Sequence, residues 1–388
     1  MNNSKKYKIL LVFPHSSTVI ANSEIWQKNI FQSLRILGHQ VDRIDYDYSS
    51  FFINFDNKNW INSHSRMLEN SIYKKVKKSK YDFVFSYLCN NFISIDFLLK
   101  IKDNYCPIIN YSCNNTHQFY LVDEISQYTD LNIYTELSSK DKFINTNGYY
   151  LQMAANPAFY KRINFQNQFK YSVSFIGQNY ADRLKTILSL IENDILVKVF
   201  GANWVEEELL GSKSSTFKAF QKIYNFYSRN NLIDTLRFLI AKVSDRFDMK
   251  LNNNLIKKHY GGVLPDSKFV DVVNYSKINL GLSNVFDGGY NSSIIKNHLK
   301  LRDFEIPMCG GFYITGLNSE LELYYELCKE IEVYSSADEL IDKIKFYLKN
   351  EKSRLKIAAS GYNRAIKDHT WANRFSQLFS STIFKSIL

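Results

Sequence analysis

Cysteine is scarce in this chain of 388 residues: Cys89, Cys106, Cys113, Cys309 and Cys328 are odd in number, widely spaced and form no CxxC pair. That excludes a disulfide frame and a cysteine zinc site, and the five read as reduced thiols of a cytoplasmic protein. Long apolar runs are missing too. Nothing approaches the ~20 apolar residues of a membrane span, so any membrane contact is expected to be peripheral. The opening MNNSKKYKILLVFPH places two lysines before ILLVF, but that run is only five residues long and no small-residue cleavage site follows. It reads as a strand rather than a leader. The next turn, PHSSTVIAN, contains no glycine. A dinucleotide site needs GxGxxG there, so that backbone can approach the pyrophosphate; an N-terminal NAD or FAD site is therefore not expected.

What is present is ordinary for a globular protein: 45% apolar and 22% charged residues, at a length that suits two domains. The abundance of tyrosine and phenylalanine beside few alanines and many asparagines is attributed to A+T-rich coding bias rather than to a sugar-handling surface. Lysine and arginine number 49 against 38 acids, a net charge of +11. This favours an anionic partner, whether nucleic acid, a phospholipid face or a phosphorylated ligand, without choosing among them.

Strand-like and helical stretches alternate along the chain. Tyr7 to Phe13 fits a buried parallel strand, Trp26, Ile30, Leu34 and Leu37 recur at helical spacing up to Gly38, and Val41 to Asp45 forms a second strand. Further strands are read at YDFVFSYL, CPIINYS, LNIYT and YYLQMAANP. The pattern then restarts beyond Asn156-Pro157 with YSVSFIGQ, a helix from about Ala181 to Ile191, VKVFG, KINLGLS, FYIT and IEVY. Ser336 and Glu339 mark a capping box ahead of a helix. The expectation is an α/β fold of two Rossmann-like domains, residues 1–160 and 168–372, with a C-terminal helix of about 373–388 packing back on the first. A basic insert of about 204–259 carries the apolar stripes Phe217, Phe220, Tyr224, Tyr227 and Leu232, Leu236, Leu239, Val243, Phe247. Such stripes more often pack on protein, although a basic amphipathic segment also suits an anionic bilayer.

Several groups could carry chemistry. His15 ends the first strand, where ligands of open α/β sheets bind, although a lone histidine is more often structural. Asp45-Tyr46-Asp47 has the D-x-D spacing of some metal-dependent sugar transferases. It lies outside the expected donor domain, so it reads as carboxylates on a strand running into solvent. The richest stretch is HLKLRDFEIPMCGGFYIT. There Arg302 and Glu305 fall on one face of a short helix, with Lys296 and Lys300 nearby, and the helix start would attract an anion. Arg302 suits a diphosphate and Glu305 two ribose hydroxyls, while Gly310 and Gly311 let the next strand start close to a ligand. The bland alternative is a surface ion pair beside a glycine turn.

LRDFEIPMCGGFYIT, with the later EVYSSADELIDKIKFYLKNEKSRLKIAASGYNRAIKDHTWANRF, resembles the C-terminal domain of bacterial CgeB-like, spore-maturation-type glycosyltransferases, relatives of the group 1 enzymes. The likeness is closest from Lys277 to Phe375, with thinner matches in MAANPAFY, VSFIGQNYADR and YGGVLPDSKFVDVVNYSKINL. It implies the GT-B fold, two Rossmann-like domains facing across a cleft, with a nucleotide sugar held by the second and with neither a cofactor nor an obligate metal. By position Glu305 looks like the family's ribose-binding glutamate, Gly177 and Arg183 like the loop that touches the phosphates, and Val263 and Leu264 like the neighbours of the base. Eight residues before Glu305, where many group 1 enzymes carry another glutamate, stands Asn297. Asn114 and Asn115 stand where CgeB-like chains tend to be acidic.

In such transfer the departing diphosphate gains negative charge, which fixed cations stabilise electrostatically; Arg183, Arg302 and Lys296 are the candidates. An inverting enzyme also needs a general base, for which His15 and His117 are the candidates, and a retaining one can do without. The reading is a cytoplasmic enzyme of bacterial surface polysaccharide or glycoconjugate synthesis, acting on a saccharide, lipid-linked or protein acceptor, with a contact to anionic membrane at the inner face. Its sugar and its subunit count stay open. A nucleotide-sugar epimerase of the same fold and a non-catalytic sugar-nucleotide or polysaccharide-binding protein are the alternatives. Nucleic acid ranks last, because no recognised motif supports it.

Overall fold

The computed structural model describes residues 5–15, 24–53, 57–163, 169–179, 181–206, 247–286 and 295–388. The chain divides into two compact units, Met1–Phe159 with Ile366–Leu388, and Tyr160–Ala365.

In the first unit, β1 (Lys8–His15), β2 (Gln40–Asp47), β3 (Phe83–Ser86), β4 (Ile108–Ser112), β5 (Leu131–Tyr134) and β6 (Gly148–Tyr150) form a parallel sheet in the order β2-β1-β3-β4-β5-β6. The run ILLVF lies within β1, and every residue from Ile9 to Phe13 is buried, as a strand covered on both faces requires. The intervening helices are α1 (Gln32–Ile36), which continues a π-helical turn, α2 (Tyr48–Ile53), α3 (Lys58–Lys78), α4 (Ile95–Asn104) and α5 (Asn115–Gln118). Asn57 and Ser94 cap α3 and α4 by accepting from the Trp60 and Phe97 N–H groups.

The second unit has its own parallel sheet of β7 (Tyr171–Ile176), β8 (Val197–Phe200), β9 (Ser276–Gly281), β12 (Tyr313–Gly316) and β13 (Glu332–Tyr334), in the order β13-β12-β9-β7-β8. A separate antiparallel pair, β10 (Asn284–Phe286) and β11 (Ile295–Asn297), follows β9. Around the sheet lie α6 (Arg183–Glu192), α7 (Asp266–Asn274), α8 (Arg302–Met308) and α9 (Ala337–Lys349). Phe175, Ile187, Val199, Trp204, Ile278, Ile314, Leu340 and Ile344 fill the core. At the start of α9 the Ser336 hydroxyl accepts from the Glu339 N–H at 3.2 Å. The Glu339 carboxylate reaches back to the Ser335 N–H rather than that of Ser336, so the reciprocal bond of the capping box falls one residue early.

From the second unit α10 (Glu351–Asp368) carries the chain into the first, where α11 (Trp371–Ser380) and α12 (Thr382–Ile387) follow. Trp371, Phe375, Leu378 and Phe384 are buried there. The Arg374 guanidinium donates to the carbonyls of Gln152, Met153 and Asp368, so a buried charge closes three backbone acceptors. Of the basic insert, residues 207–246, with all of its stripe residues except Phe247, lie outside the described residues; residues 247–259 are helical.

Candidate functional site

In each sheet the chain leaves the first strand to one side and later returns on the other. The direction therefore switches between β1 and β3 in the first unit and between β7 and β9 in the second. The carboxyl ends of strands flanking such a point are where open α/β sheets hold ligands. In the second unit β7 runs into Gly177, β9 into Leu282, and α6 starts between them. The Gly177 N–H bonds the Phe200 carbonyl at 2.8 Å, while its own carbonyl accepts from the Trp204 indole at 2.8 Å. Gly201, at φ +137°, lies so close beneath that a β-carbon there would stand 2.3 Å from the Gly177 oxygen. Only glycine fits both that torsion and that approach.

Arg183 is built into this loop. Its Nε donates to the Leu282 carbonyl at 3.0 Å and Nη1 to the Gln178 carbonyl at 2.8 Å, over the Phe175 ring. The guanidinium thus ties the ends of β7 and β9 together. Beside it the Asp182 carboxylate accepts from the Asn284 amide at 2.6 Å through one oxygen, and its other oxygen, Oδ1, is buried without a donor.

The second focus is α8. Because the β9 to β12 connection is a parallel crossover, this helix begins on the carboxyl side of the sheet. Arg302 donates to Glu305 Oε2 and stacks on the Phe269 ring of α7 at 4.4 Å, its side chain 33% exposed. Glu305 is fully buried, and its Oε1 has no partner. The predicted pairing of these two residues on one helix face is present, and it binds them to each other. The helix is seven residues long and ends in Gly310, at φ +74°, whose N–H returns to the Pro307 carbonyl. Gly311 packs where a β-carbon would stand 2.7 Å from Val273 and 2.8 Å from the Asn279 amide, so both glycines serve helix termination and packing.

Beneath α8 the buried Asp303 takes the Lys300 N–H at 2.5 Å, the Tyr313 hydroxyl at 2.8 Å and the Thr315 hydroxyl at 3.3 Å. Burial pushes its carboxyl up to about 6, against the pull of those donors. Neither Asp303 nor Asp182 was singled out from sequence. The available signal for Asp182 was its place just before Arg183 at a helix start; Asp303 looked like one more acid in a charged stretch.

The other expected residues have plain positions. Lys296 lies on β11, opposite Val285 of β10. Val263 is exposed and Leu264 half-buried on the segment leading into α7. In the first unit His15 ends β1 in register with Asp47, and His117 falls in α5. The D-x-D carboxylates have local partners: Asp45 pairs with Arg43 at 2.8 Å, and Asp47 accepts from the Ser50 hydroxyl at 2.7 Å. Among the described residues no three histidines, cysteines or acids are grouped to hold a metal ion, and no helix is long and apolar enough to cross a membrane.

Two parallel-sheet α/β units, each with a switch point at the carboxyl ends of its strands, make up the GT-B fold. Residues 183–380 match the glycosyl transferase-like family, and the chain belongs to it. Its fold is shared with a glycosyltransferase from Rickettsia africae ESF-5 (11% identity, TM-score 0.59, 98% of both chains covered). Sucrose-phosphate synthase from Thermosynechococcus elongatus is similar as well (9% identity, TM-score 0.57, 96% of this chain and 98% of that one). So is HepE of Anabaena, solved in complex with UDP and glucose (10% identity, TM-score 0.55, 95% of this chain and 97% of that one). No curated protein matches the sequence. The protein is a glycosyltransferase.

Proposed function

We propose that this glycosyltransferase is of the CgeB-like kind and takes its sugar from a nucleotide-sugar donor held by the second unit, without an obligate metal. The observation that carries the donor assignment is the bare Oε1 of Glu305. A carboxylate oxygen sealed from water accepts hydrogen bonds only, and leaving it unmet costs about 1–3 kcal/mol. With its twin oxygen fixed by Arg302, it suits the paired hydroxyls of a ribose. One N–H of Arg302 goes to Glu305, and the rest of the guanidinium is available to diphosphate oxygens. Val263 and Leu264, at the entry to α7, suit the base. The complex of HepE with UDP and glucose supports a uridine diphosphate sugar as the first donor to try.

As the bond between the sugar and the diphosphate breaks, the leaving group gains negative charge, which Arg302 offsets from its place against the Phe269 ring, with Lys296 the second candidate cation. Arg183 acts behind them by holding the Gly177 loop to the end of β9. On the first unit, His15 beside Asp47 and His117 in α5 are the candidate bases for an acceptor hydroxyl. Glu305→Ala and Arg302→Ala, each checked for folding by circular dichroism, are expected to weaken donor binding and to lower transfer. Full activity in both variants would remove the assignment.

We further propose work in the cytoplasm on surface polysaccharide or glycoconjugate precursors, at the inner membrane face. The support is a lysine-bordered surface pocket of about 340 Å³ at the amino-terminal edge of the first sheet, lined by Lys77, Lys78, Lys80, Tyr81, Asn104 and Tyr105 among others. Lys74 and Lys75 adjoin it, and this density of cations suits phosphate headgroups. Flotation with vesicles containing phosphatidylglycerol, but not with neutral vesicles, is the expected result. Equal flotation with both removes this part of the reading.

A further inference from the structure

Asp303 is a buried carboxylate that the transfer chemistry above leaves unused. It follows Arg302 in the chain, but where Arg302 stacks on Phe269 of α7, Asp303 turns to β12. Its Oδ2 takes the Lys300 N–H at 2.5 Å, which closes the turn that leads into α8. Its Oδ1 takes the hydroxyls of Tyr313 at 2.8 Å and Thr315 at 3.3 Å, two residues apart on β12 and so on one face of that strand. Thr315 shares its hydroxyl with that of Ser283, beyond the end of β9, at 3.1 Å, and the Tyr325 hydroxyl donates to the Asp303 carbonyl at 2.8 Å. Packing around these hydroxyls is close, since a β-carbon on Gly281 would collide with both Tyr313 and Thr315. The donors that meet the carboxylate are thus one amide and two hydroxyls, all neutral. Lys300 turns its ammonium to the ring of the buried His298.

A carboxylate held by hydroxyls exchanges its charge for a proton without losing its partners, because a hydroxyl accepts as readily as it donates. An anion brought against the neighbouring Arg302 favours that exchange, since like charges in a dry interior disfavour each other. Resting on the donor-site reading above, we propose that Asp303 is a positioning residue that fixes the turn into α8 and takes up a proton when the diphosphate of the donor binds, so that donor affinity falls as the pH rises. The proton comes from solvent and returns to it when the nucleotide leaves; none passes to the sugar. Burial already raises the carboxyl to about 6, which places the exchange where a titration from pH 5 to 8 follows it. The ionisable groups around it are Lys300 and His298 ahead of α8, Arg302 and Glu305 on α8, Tyr313 on β12 and Tyr325 beyond. The test therefore has to separate Asp303 from His298 and Glu305.

Wild type, Asp303→Asn and Thr315→Val are titrated calorimetrically with UDP-glucose at pH 5, 6, 7 and 8, in two buffers of different ionisation heat, so that protons taken up on binding are counted. If UDP-glucose fails, GDP-mannose and TDP-glucose follow. Both phosphates of such a donor are esterified and keep their charge across this range, so the ligand's own titration does not intrude. Wild type is expected to take up a fraction of a proton at pH 6 to 7 and to bind about fivefold or more weakly at pH 8 than at pH 5. Asp303→Asn, which keeps His298 and Glu305 but cannot ionise at residue 303, should bind without uptake and with an affinity that no longer follows pH. Thr315→Val removes a donor from the charged form, so its uptake should move to higher pH; it keeps the test open where Asp303→Asn does not fold. Binding without uptake in wild type, uptake that survives in Asp303→Asn, or an unmoved midpoint in Thr315→Val overturns the inference and leaves the donor site standing. A wild type that binds none of the three donors overturns the donor-site reading and this inference with it.

Discussion

The guanidinium of Arg302 holds one carboxylate oxygen of Glu305, and the other oxygen of that fully buried side chain is bare. Removing Arg302 should therefore do more than weaken a ligand contact, since it leaves a buried charge alone. Arg302→Ala is expected to destabilise the second unit by about 3–5 kcal/mol, and Arg302→Ala with Glu305→Gln by less than Arg302→Ala alone. Urea melts of the two variants provide the check. A double variant weaker than the single one would show that the pair is not coupled in this way.

Gly201 makes a stability prediction independent of any ligand. Alanine there meets both a φ of +137° and the Gly177 oxygen at 2.3 Å. Gly201→Ala should lower stability by at least ~2 kcal/mol and displace residues 177–179, visible as shifted amide resonances of the loop. An unchanged melting temperature would contradict the close approach.

Two buried titratable groups give the units opposite responses to pH. His39 in the first unit accepts the Tyr7 N–H through Nδ1 and is lowered to about 4 by burial and by Lys6. Between pH 6.5 and 4 the unfolded chain takes up a proton there that the folded chain refuses, so this unit loses stability on acidification. Asp303 in the second unit, raised to about 6 by burial, holds a proton that the unfolded chain has released. Its contribution is full below pH 4 and lost as the pH rises through 6. His39→Gln, which keeps an acceptor for Tyr7, should flatten the first dependence, and Asp303→Asn the second. Stability differences from wild type measured at pH 4, 5, 6 and 7 decide the matter, and a constant difference across that range would refute either half.

Arg374 is expected to tie the C-terminal segment to the first unit. Its three carbonyl partners lose their donors in Arg374→Met, which should cost the first unit about 2–4 kcal/mol and leave the second unit unaffected. Hydrogen exchange resolved by unit tests this, and loss of protection in β7 to β9 would contradict it.

Local pattern was enough for much of the architecture. The runs ILLVF, YDFVFSYL, VSFIG and KINLG are short, apolar and spaced by helical stretches, and burial of such runs on both faces leaves a parallel sheet as the outcome. Arg302 and Glu305 were legible as a pair because helical geometry alone brings residues three apart together. The capping Ser336 was legible because a cap is a contact within one turn of helix.

What tertiary structure decided is everything that depends on contacts far apart in the chain. Arg183 reads from sequence as a phosphate ligand, yet its guanidinium clamps a carbonyl from residue 282. Gly310 and Gly311 read as room for a ligand and serve as a helix stop and a packing surface. Asp182 was legible only as an acid just before a helix start and Asn297 only as a departure from a glutamate of the group 1 enzymes; their shared neighbour Asn284 lies 102 positions from Asp182. The sequence determined where strands and helices would form, because propensity and periodicity act over a few residues. Which oxygens would be buried without a partner was settled only when β7, β9 and β11 came together, because desolvation is a property of the assembled unit.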